Sequence, residues 1–419
     1  MSLQAFQKAG NPRALIAAFL YFDVSFMVWV MLGPLGTFLS DAYHLSATQK
    51  GLLTAVPLLG GSFFRPILGW MTERYGGRRT GLIGLSFTVV PLLTAWQLAN
   101  SYQAFLALGL LLGVAGASFA AALPMASAWY PPEHQGLAMG IAGAGNSGTV
   151  LATLFAPRIA QAIGWRNVFG LAIIPVAVVW IVFFLLAKDA PGKRKVKTWA
   201  DYAAILRVPD TLWFCFLYSL TFGGFVGLAS YLSIFFHDQY GLTKVQSGDF
   251  TTVVVICGSF LRPLGGVLSD RWGGYRMLLA LLSGAGLCMA AVATLPAAAV
   301  ALGVLAIGMG LLGMGNGSVF QVMPQRFASS VGIMTGVIGA AGGLGGFLLP
   351  SILGVIKDKT GSFGYGFAVL MALMFAGAIA LTALRPYWKR TWPLDAAVRA
   401  GVMGMPEQTG GEYARAASL

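Results

Sequence analysis

Charge is scarce in this sequence. Only 10% of its 419 residues are Asp, Glu, Lys or Arg, against about 25% in an ordinary soluble domain. A water-soluble fold could not cover its surface with so little charge. Histidine is scarcer still. His44, His134 and His237 stand in loops or at helix ends with no metal-ligand spacing, and no nucleophile–base pair stands out. No metal centre, cofactor or enzyme active site is therefore expected. Cys215, Cys257 and Cys288 each sit inside an apolar run and read as small packing residues, not as a disulfide set. Acid is short relative to base, with 14 Asp and Glu against 27 Lys and Arg and a net charge of +13. The bases cluster in short loops, which is the pattern that orients membrane helices and not that of a nucleic-acid partner.

What is abundant is apolar sequence, 57% of the chain. Runs of 18 or more apolar residues recur along it, each long enough to cross a bilayer as a helix. The 56 glycines suit helices that pack closely in lipid. After the polar start MSLQAFQKAGNPR the first apolar run is too long for the core of a signal peptide and has no convincing cleavage site. The pattern predicts twelve spans, at 13–39, 49–72, 81–99, 103–128, 136–162, 167–188, 211–236, 247–269, 277–296, 299–324, 332–356 and 363–385. The basic loops ERYGGRR, KDAPGKRKVKTW, DRWGGYR and RPYWKR all fall on one side, with both termini, so that side is expected to be the cytoplasm. The polar segment 189–210 is expected to link an N-terminal bundle, 1–188, to a C-terminal bundle, 211–390, and residues 391–419 to form a disordered tail.

An internal repeat supports the two halves. GSFFRPILGWMTERYGGRR at 61–79 returns as GSFLRPLGGVLSDRWGGYR at 258–276, 197 positions later. GASFAAALP at 116–124 is echoed by GSVFQVMP at 317–324, and MGIAGAGNSG at 139–148 by TGVIGAAGG at 335–343. Two parallel six-helix repeats around a central pathway are a transporter architecture. The loops after spans 2 and 8 carry Gly69, Glu73, Arg74, Gly76, Gly77, Arg78 and Arg79, then Gly266, Asp270, Arg271, Gly273, Gly274 and Arg276. This resembles the signature loop of the major facilitator superfamily. The fold implied is an all-α polytopic membrane protein, twelve transmembrane helices in two pseudo-symmetric halves. Glu73, Arg74, Asp270 and Arg271 are then expected to act as gating loops, since an acid at a helix end can pair with arginine and with a neighbouring helix N-terminus.

Arg65 and Arg262 occupy equivalent places in the repeat. Each lies eight residues before the loop acid. That is ~12 Å into a hydrocarbon core ~30 Å thick. A helix-centre arginine costs roughly 2.5–3.5 kcal/mol on insertion scales, so it is functional by default. The obvious deep carboxylate is Asp23, with Asp249 near the start of span 8 and the remaining acids in loops, span ends or the tail. Two arginines with at most one nearby carboxylate leave positive charge that a bound anion would neutralise; a structural Arg–Asp or Arg–carbonyl network is the alternative. Arginine suits an oxyanion because its planar fork pairs with two oxygens. Proline follows each arginine, which disfavours helix there and frees a carbonyl, a break tolerated where it lines a cavity. Asp23 is a proton-relay candidate or one half of a permanent salt bridge.

AGAGNSG in span 5 and GAAGGLGG in span 11 resemble the glycine-rich signatures of the nitrate/nitrite porter family, and the arginines of spans 2 and 8 match its substrate pair. YFDVSFMVWVMLG, LPMASAWYPP, TFGGFVGLASYLSIFF and GMGNGSVFQVMPQRF are similar to assimilatory bacterial nitrate transporters within it. The resemblance implies transport of nitrate and nitrite across the bacterial cytoplasmic membrane by alternating access, in a monomer, with the anion between the two arginines. Gly143, Gly145 and Gly342 belong to the implied cage, Asn146 can donate its amide, and Phe26, Phe119, Tyr218 and Phe222 would wall or bond the anion. Asn316 and Gln321 are further polar positions. Sulfate and phosphate carry more charge and bulk and should be rejected. Proton symport is favoured for uptake. Exchange of nitrate for nitrite, a facilitator for formate or another carboxylate, and a membrane nitrate sensor are the other readings.

Overall fold

The computed structural model describes residues 8–191 and 198–404. The described secondary structure is helical throughout. Eleven continuous spans are long and apolar enough to cross a bilayer. They are α1 (Pro12–Tyr43), α2 (Ala47–Tyr75), α3 (Gly77–Gln97), α4 (Tyr102–Ser127), α6 (Trp165–Leu186), α7 (Pro209–Tyr240), α8 (Lys244–Trp272), α9 (Gly274–Ala293), α10 (Ala298–Arg326), α11 (Val331–Thr360) and α12 (Gly364–Thr391). The twelfth, α5, runs over 132–163 and is broken: Pro132–Gly143, a 3₁₀ turn at Ala144–Ser147, then Gly148–Ile163.

The repeated loops are tight because of one glycine each. Gly76 ends α2 and begins α3 at φ 96°, and Gly273 does the same between α8 and α9 at φ 86°. Only glycine adopts such angles without strain. Within each half, glycine faces bring helices together. An added methyl at Gly113 of α4 would strike the backbone of Gly60 on α2, and one at Gly313 of α10 would strike that of Gly258 on α8. Bulky apolar side chains point outward instead, among them Ile83, Val90 and Leu93 on α3 and Ile174, Val178, Ile181 and Leu185 on α6. An exterior of this kind belongs in lipid.

The two expected features nearest the arginines and the tail are corrected. α2 stays helical through Arg65 and Pro66, and α8 shows only a one-residue irregularity at Leu261. A proline inside a membrane helix removes one hydrogen bond, and packed neighbours absorb the loss. The real interruptions lie at Ala144–Ser147 of α5 and in a π-turn at Ser219–Gly223 of α7. Residues 392–404 are not a loose tail. A helix at Leu394–Arg399 folds back, Trp392, Ala397, Ala400 and Val402 are buried, and Tyr275 N–H donates to the Ala400 carbonyl at 2.8 Å. The rest of the expected tail, and 192–197 of the linker, lie outside the described residues; the linker's described part includes a helix at Trp199–Leu206.

The halves meet along two antiparallel seams, α2 against α11 and α5 against α8, with α1 beside α7. At the face away from the chain ends, the distal face, these seams are sealed. Lys50 pairs with Asp238 at 2.7 Å, Arg158 with Asp249 at 2.6 Å, and Lys244 with Asp41, each across the halves. Asp358 at the end of α11 accepts from the Ala47 and Thr48 N–H groups at 2.9 and 2.7 Å, capping the start of α2. Toward the terminal face the same seams part. The α11 stripe that touches α2 at Gly354, Pro350, Gly343 and Gly339 continues to Gly336 and Gly332, where nothing lies within 4 Å of a would-be Cβ. Gly140 on α5 and Gly266 on α8 are equally clear. The described conformation is sealed distally, and its seams part toward the terminal face.

Candidate anion site

The site is assembled where the seams begin to part. Arg65 and Arg262 are 1% and 8% exposed, so both guanidinium groups are out of reach of bulk water. Arg65 is braced on three sides. Its Nε donates to the Gly116 carbonyl of α4 at 3.3 Å, one Nη donates to the Gly339 carbonyl of α11, and the second Nη has no partner. Its charge lies 5.3 Å from the Trp29 ring centre, 5.7 Å from Phe119 and 5.0 Å from Phe222. Faces of aromatic rings stabilise a cation without neutralising it. Arg262 lies 5.8 Å from the Phe320 ring, beside Gly143 of α5, and its Nη1 is unpartnered.

The aromatic wall comes from both halves. Phe22, Phe26 and Trp29 of α1 stack edge to face, and Phe26 meets Phe222 of α7 at 6.3 Å. Tyr218 and Phe222 are parallel at 5.1 Å, one turn apart across the π-turn. Gly342 of α11 lies behind this pair, where an added Cβ would be 2.7 Å from the Tyr218 ring. Phe119 of α4 reaches Phe320 of α10 at 6.0 Å. The Tyr218 hydroxyl lies against the Arg262 guanidinium and within electrostatic reach of Arg65.

The break in α5 places the remaining groups. Gly145 and Gly148 let α1 pass close by, against Phe22 and the Asp23 backbone. Asn146, between them, is fully buried with neither amide atom partnered. The next residue, Ser147, donates its hydroxyl to the Asp23 carboxylate at 2.7 Å. Among the described residues no Lys or Arg pairs with Asp23, and none of the ion pairs involves Arg65 or Arg262. Asn316 of α10 is also fully buried and unpartnered, while Gln321 accepts from the Gly274 N–H at 3.1 Å and serves the loop.

Leaving a buried polar group unsatisfied costs about 1–3 kcal/mol, and such groups are few in native proteins. Here Arg65, Arg262 and Asn146 hold unpartnered donors beside the Tyr218 hydroxyl, and among the described residues no carboxylate pairs with either arginine. The arrangement is suited to a small flat anion against aromatic walls. The four residues expected to gate are placed differently. Arg74 covers the Trp70 and Tyr75 rings, Glu73 lies near Tyr202 of the linker helix, Asp270 bonds Gln321 in its own half, and Arg271 is exposed.

Sequence reasoning passed over three contributors. Trp29 and Phe320 complete the wall, and each sits a turn from a residue already singled out: Phe26 and Asn316. The third is Asp210, fully buried at the start of α7, which accepts from Arg326 at 2.5 Å and from the Trp388 and Trp392 indoles at 2.9 and 3.2 Å. It ties α7, α10 and α12 together at the terminal face.

The Major Facilitator Superfamily model matches residues 15–350. A crystallised D-xylose–proton symporter has the same fold, with a TM-score of 0.73 over 88% of this chain and 96% of that one, at 15% identity. A protein of Bacillus subtilis called "Nitrite extrusion protein" is 34% identical over 366 residues, covering 87% of this chain and 91% of its own length. A Mycobacterium tuberculosis protein, "Probable nitrate/nitrite transporter NarK2", is 34% identical over 373 residues, covering 87% and 94%. With twelve helices in two repeats and these relatives along nearly its whole length, the chain is a membrane transporter and not an enzyme, and it belongs to the nitrate/nitrite porter family of the major facilitator superfamily.

Proposed function

We propose that the protein carries nitrate, and nitrite with it, across the bacterial cytoplasmic membrane by alternating access, with the anion held between Arg65 and Arg262. The observation that carries this reading is the set of buried, unpartnered donors on Arg65, Arg262 and Asn146 beside the Tyr218 hydroxyl, with no described carboxylate paired to either arginine. Nitrate is flat, singly charged and weakly hydrated, so a cage with two guanidinium groups and aromatic walls satisfies it. One arginine from each half means that a bound anion draws the halves together, as alternating access needs. The basic loops favour a cytoplasmic terminal face, and on that reading the described conformation is inward-facing with the arginine site itself still shielded from water.

Asp23 supports proton symport over obligatory exchange. It bonds Ser147 beside Asn146, and no described cation pairs with it, so it is placed to take up a proton. Isotopic nitrate uptake into proteoliposomes tests the function. Uptake driven by an acid exterior into vesicles without internal anion means symport. Uptake only against internal nitrate or nitrite means exchange, and returns Asp23 to a structural role. Competition by formate or a carboxylate that outruns nitrate would overturn the substrate reading, and binding without flux would make the protein a sensor.

A further inference from the structure

The GSFxRP repeat contains a serine as well as an arginine, Ser62 on α2 and Ser259 on α8, each three residues before its arginine. Ser62 is fully engaged. Its hydroxyl donates to the Ala340 carbonyl of α11 at 2.7 Å, with the Leu58 carbonyl at 3.4 Å. Ser259 is as well buried, at 2% exposed, yet its hydroxyl has no partner. The buried threonine hydroxyls along this seam return to a carbonyl one turn back: Thr252 to Gly248 at 2.8 Å, Thr251 to Ser247 at 2.7 Å, Thr153 to Thr149 at 3.1 Å. Ser259, like Ser247 near the distal end of the same helix, makes no such bond, but only Ser259 lies within a turn of Arg262.

Its surroundings follow from the α5–α8 register. Gly248 packs on Pro157, the Thr252 hydroxyl donates to that of Thr153 at 2.9 Å, and Arg262 lies beside Gly143. Each step along α8 toward the terminal face is matched by an equal step back along α5. The contacts on α8, Gly248, Thr252 and Arg262, have the helical spacing of one face, and Ser259 falls on that face. Its opposite number in this register is Asn146. Two buried, unpartnered neutral side chains therefore sit at one level of the seam, one turn from Arg262.

We propose that Ser259 is a further anion-contacting residue, and that with Asn146 it reads the third oxygen of nitrate. This rests on the two-arginine site of the preceding section. Two guanidinium forks engage two oxygens of a bound anion, and the hydroxyl of Ser259 and the amide of Asn146 donate to the remaining one. Nitrite has only two oxygens and leaves this pair unused. Ser259 thus sets preference between the two anions, while the arginines supply affinity for both. Ser62, spent on α11, has no equivalent role.

The test is equilibrium binding of nitrate and of nitrite to the purified full-length protein, wild type against Ser259→Ala, Ser259→Thr and Arg262→Lys, with thermal melting as a check on folding. Ser259→Ala is expected to weaken nitrate about tenfold, the scale of one hydrogen bond to a charged group, and nitrite by less than about twofold. Ser259→Thr keeps the hydroxyl and is expected to restore nitrate binding. Equal loss for both anions, or no loss for either, overturns the role of Ser259. If Arg262→Lys also binds both anions normally, it is the two-arginine site that fails; if it loses both while Ser259→Ala changes neither, only the serine is wrong.

Discussion

Removing the Lys50–Asp238 pair should open the distal face, and by more than removing any other single ion pair there. Both side chains are well shielded, at 15% and 17% exposed, and the contact is 2.7 Å. Exposed pairs contribute about 0.2–1 kcal/mol, and breaking fully buried ones costs about 3–5, so this one is placed at about 1–2 kcal/mol. Arg158–Asp249 is 41% and 38% exposed and Lys244–Asp41 is 25% and 64% exposed. Solvent screens these, leaving less than about 0.5 kcal/mol each. A loss of 1–2 kcal/mol multiplies the outward-open population by roughly 5–30. The double variant Lys50→Met/Asp238→Asn avoids leaving a stranded charge. Spin labels at Ala42→Cys and Lys359→Cys, one in each half, with the three native cysteines replaced by serine, report the distance by electron double resonance in liposomes. The longer distance should grow in the Lys50/Asp238 variant and hardly change in Arg158→Met/Asp249→Asn. An unchanged distribution in the first variant, or equal effects in both, would refute the argument that shielding ranks the pairs.

Two further outcomes follow from acids within the helix bundles. Asp210→Leu strands the Arg326 guanidinium and two indole N–H groups, and should cost about 3–5 kcal/mol, read as a sharp drop in melting temperature and yield; Asp210→Asn, which keeps the acceptor oxygen, should lose much less. Asp23→Asn should abolish acid-driven nitrate uptake while leaving nitrate binding within about twofold, because the amide preserves the Ser147 contact but takes up no proton; wild-type pH dependence of uptake in that variant removes Asp23 from coupling.

The sequence made the spans, the repeat and the arginines readable because each is a local signal. Apolar runs mark bilayer crossings, a repeat marks the halves, and a charge in an apolar run is costly enough to need a reason. What escaped depends on partners remote in the chain. Asp210 looks like an ordinary residue at a helix start until Trp388 and Trp392, 178 and 182 residues away, close over it. The packing of residues 392–404 depends on Gly273, which leaves room for Gly401. Arg-Pro was read as a break from a backbone rule that packing overrides at Pro66. The true break in α5 falls in a glycine run, which permits irregular backbone but does not say where it occurs. Phe320 and Trp29 were indistinguishable from packing residues until both arginines stood beside them.

The central claim is that Arg65 and Arg262 jointly hold the anion. Nitrate affinity of Arg65→Lys and Arg262→Lys, measured on purified folded protein, tests it most directly. Lysine keeps the charge and loses the fork, so each variant should bind nitrate about tenfold or more weakly and carry little flux. Near-normal nitrate affinity in both would contradict the account and leave the two arginines as structural braces, bonded to carbonyls as Arg65 already is to Gly116 and Gly339.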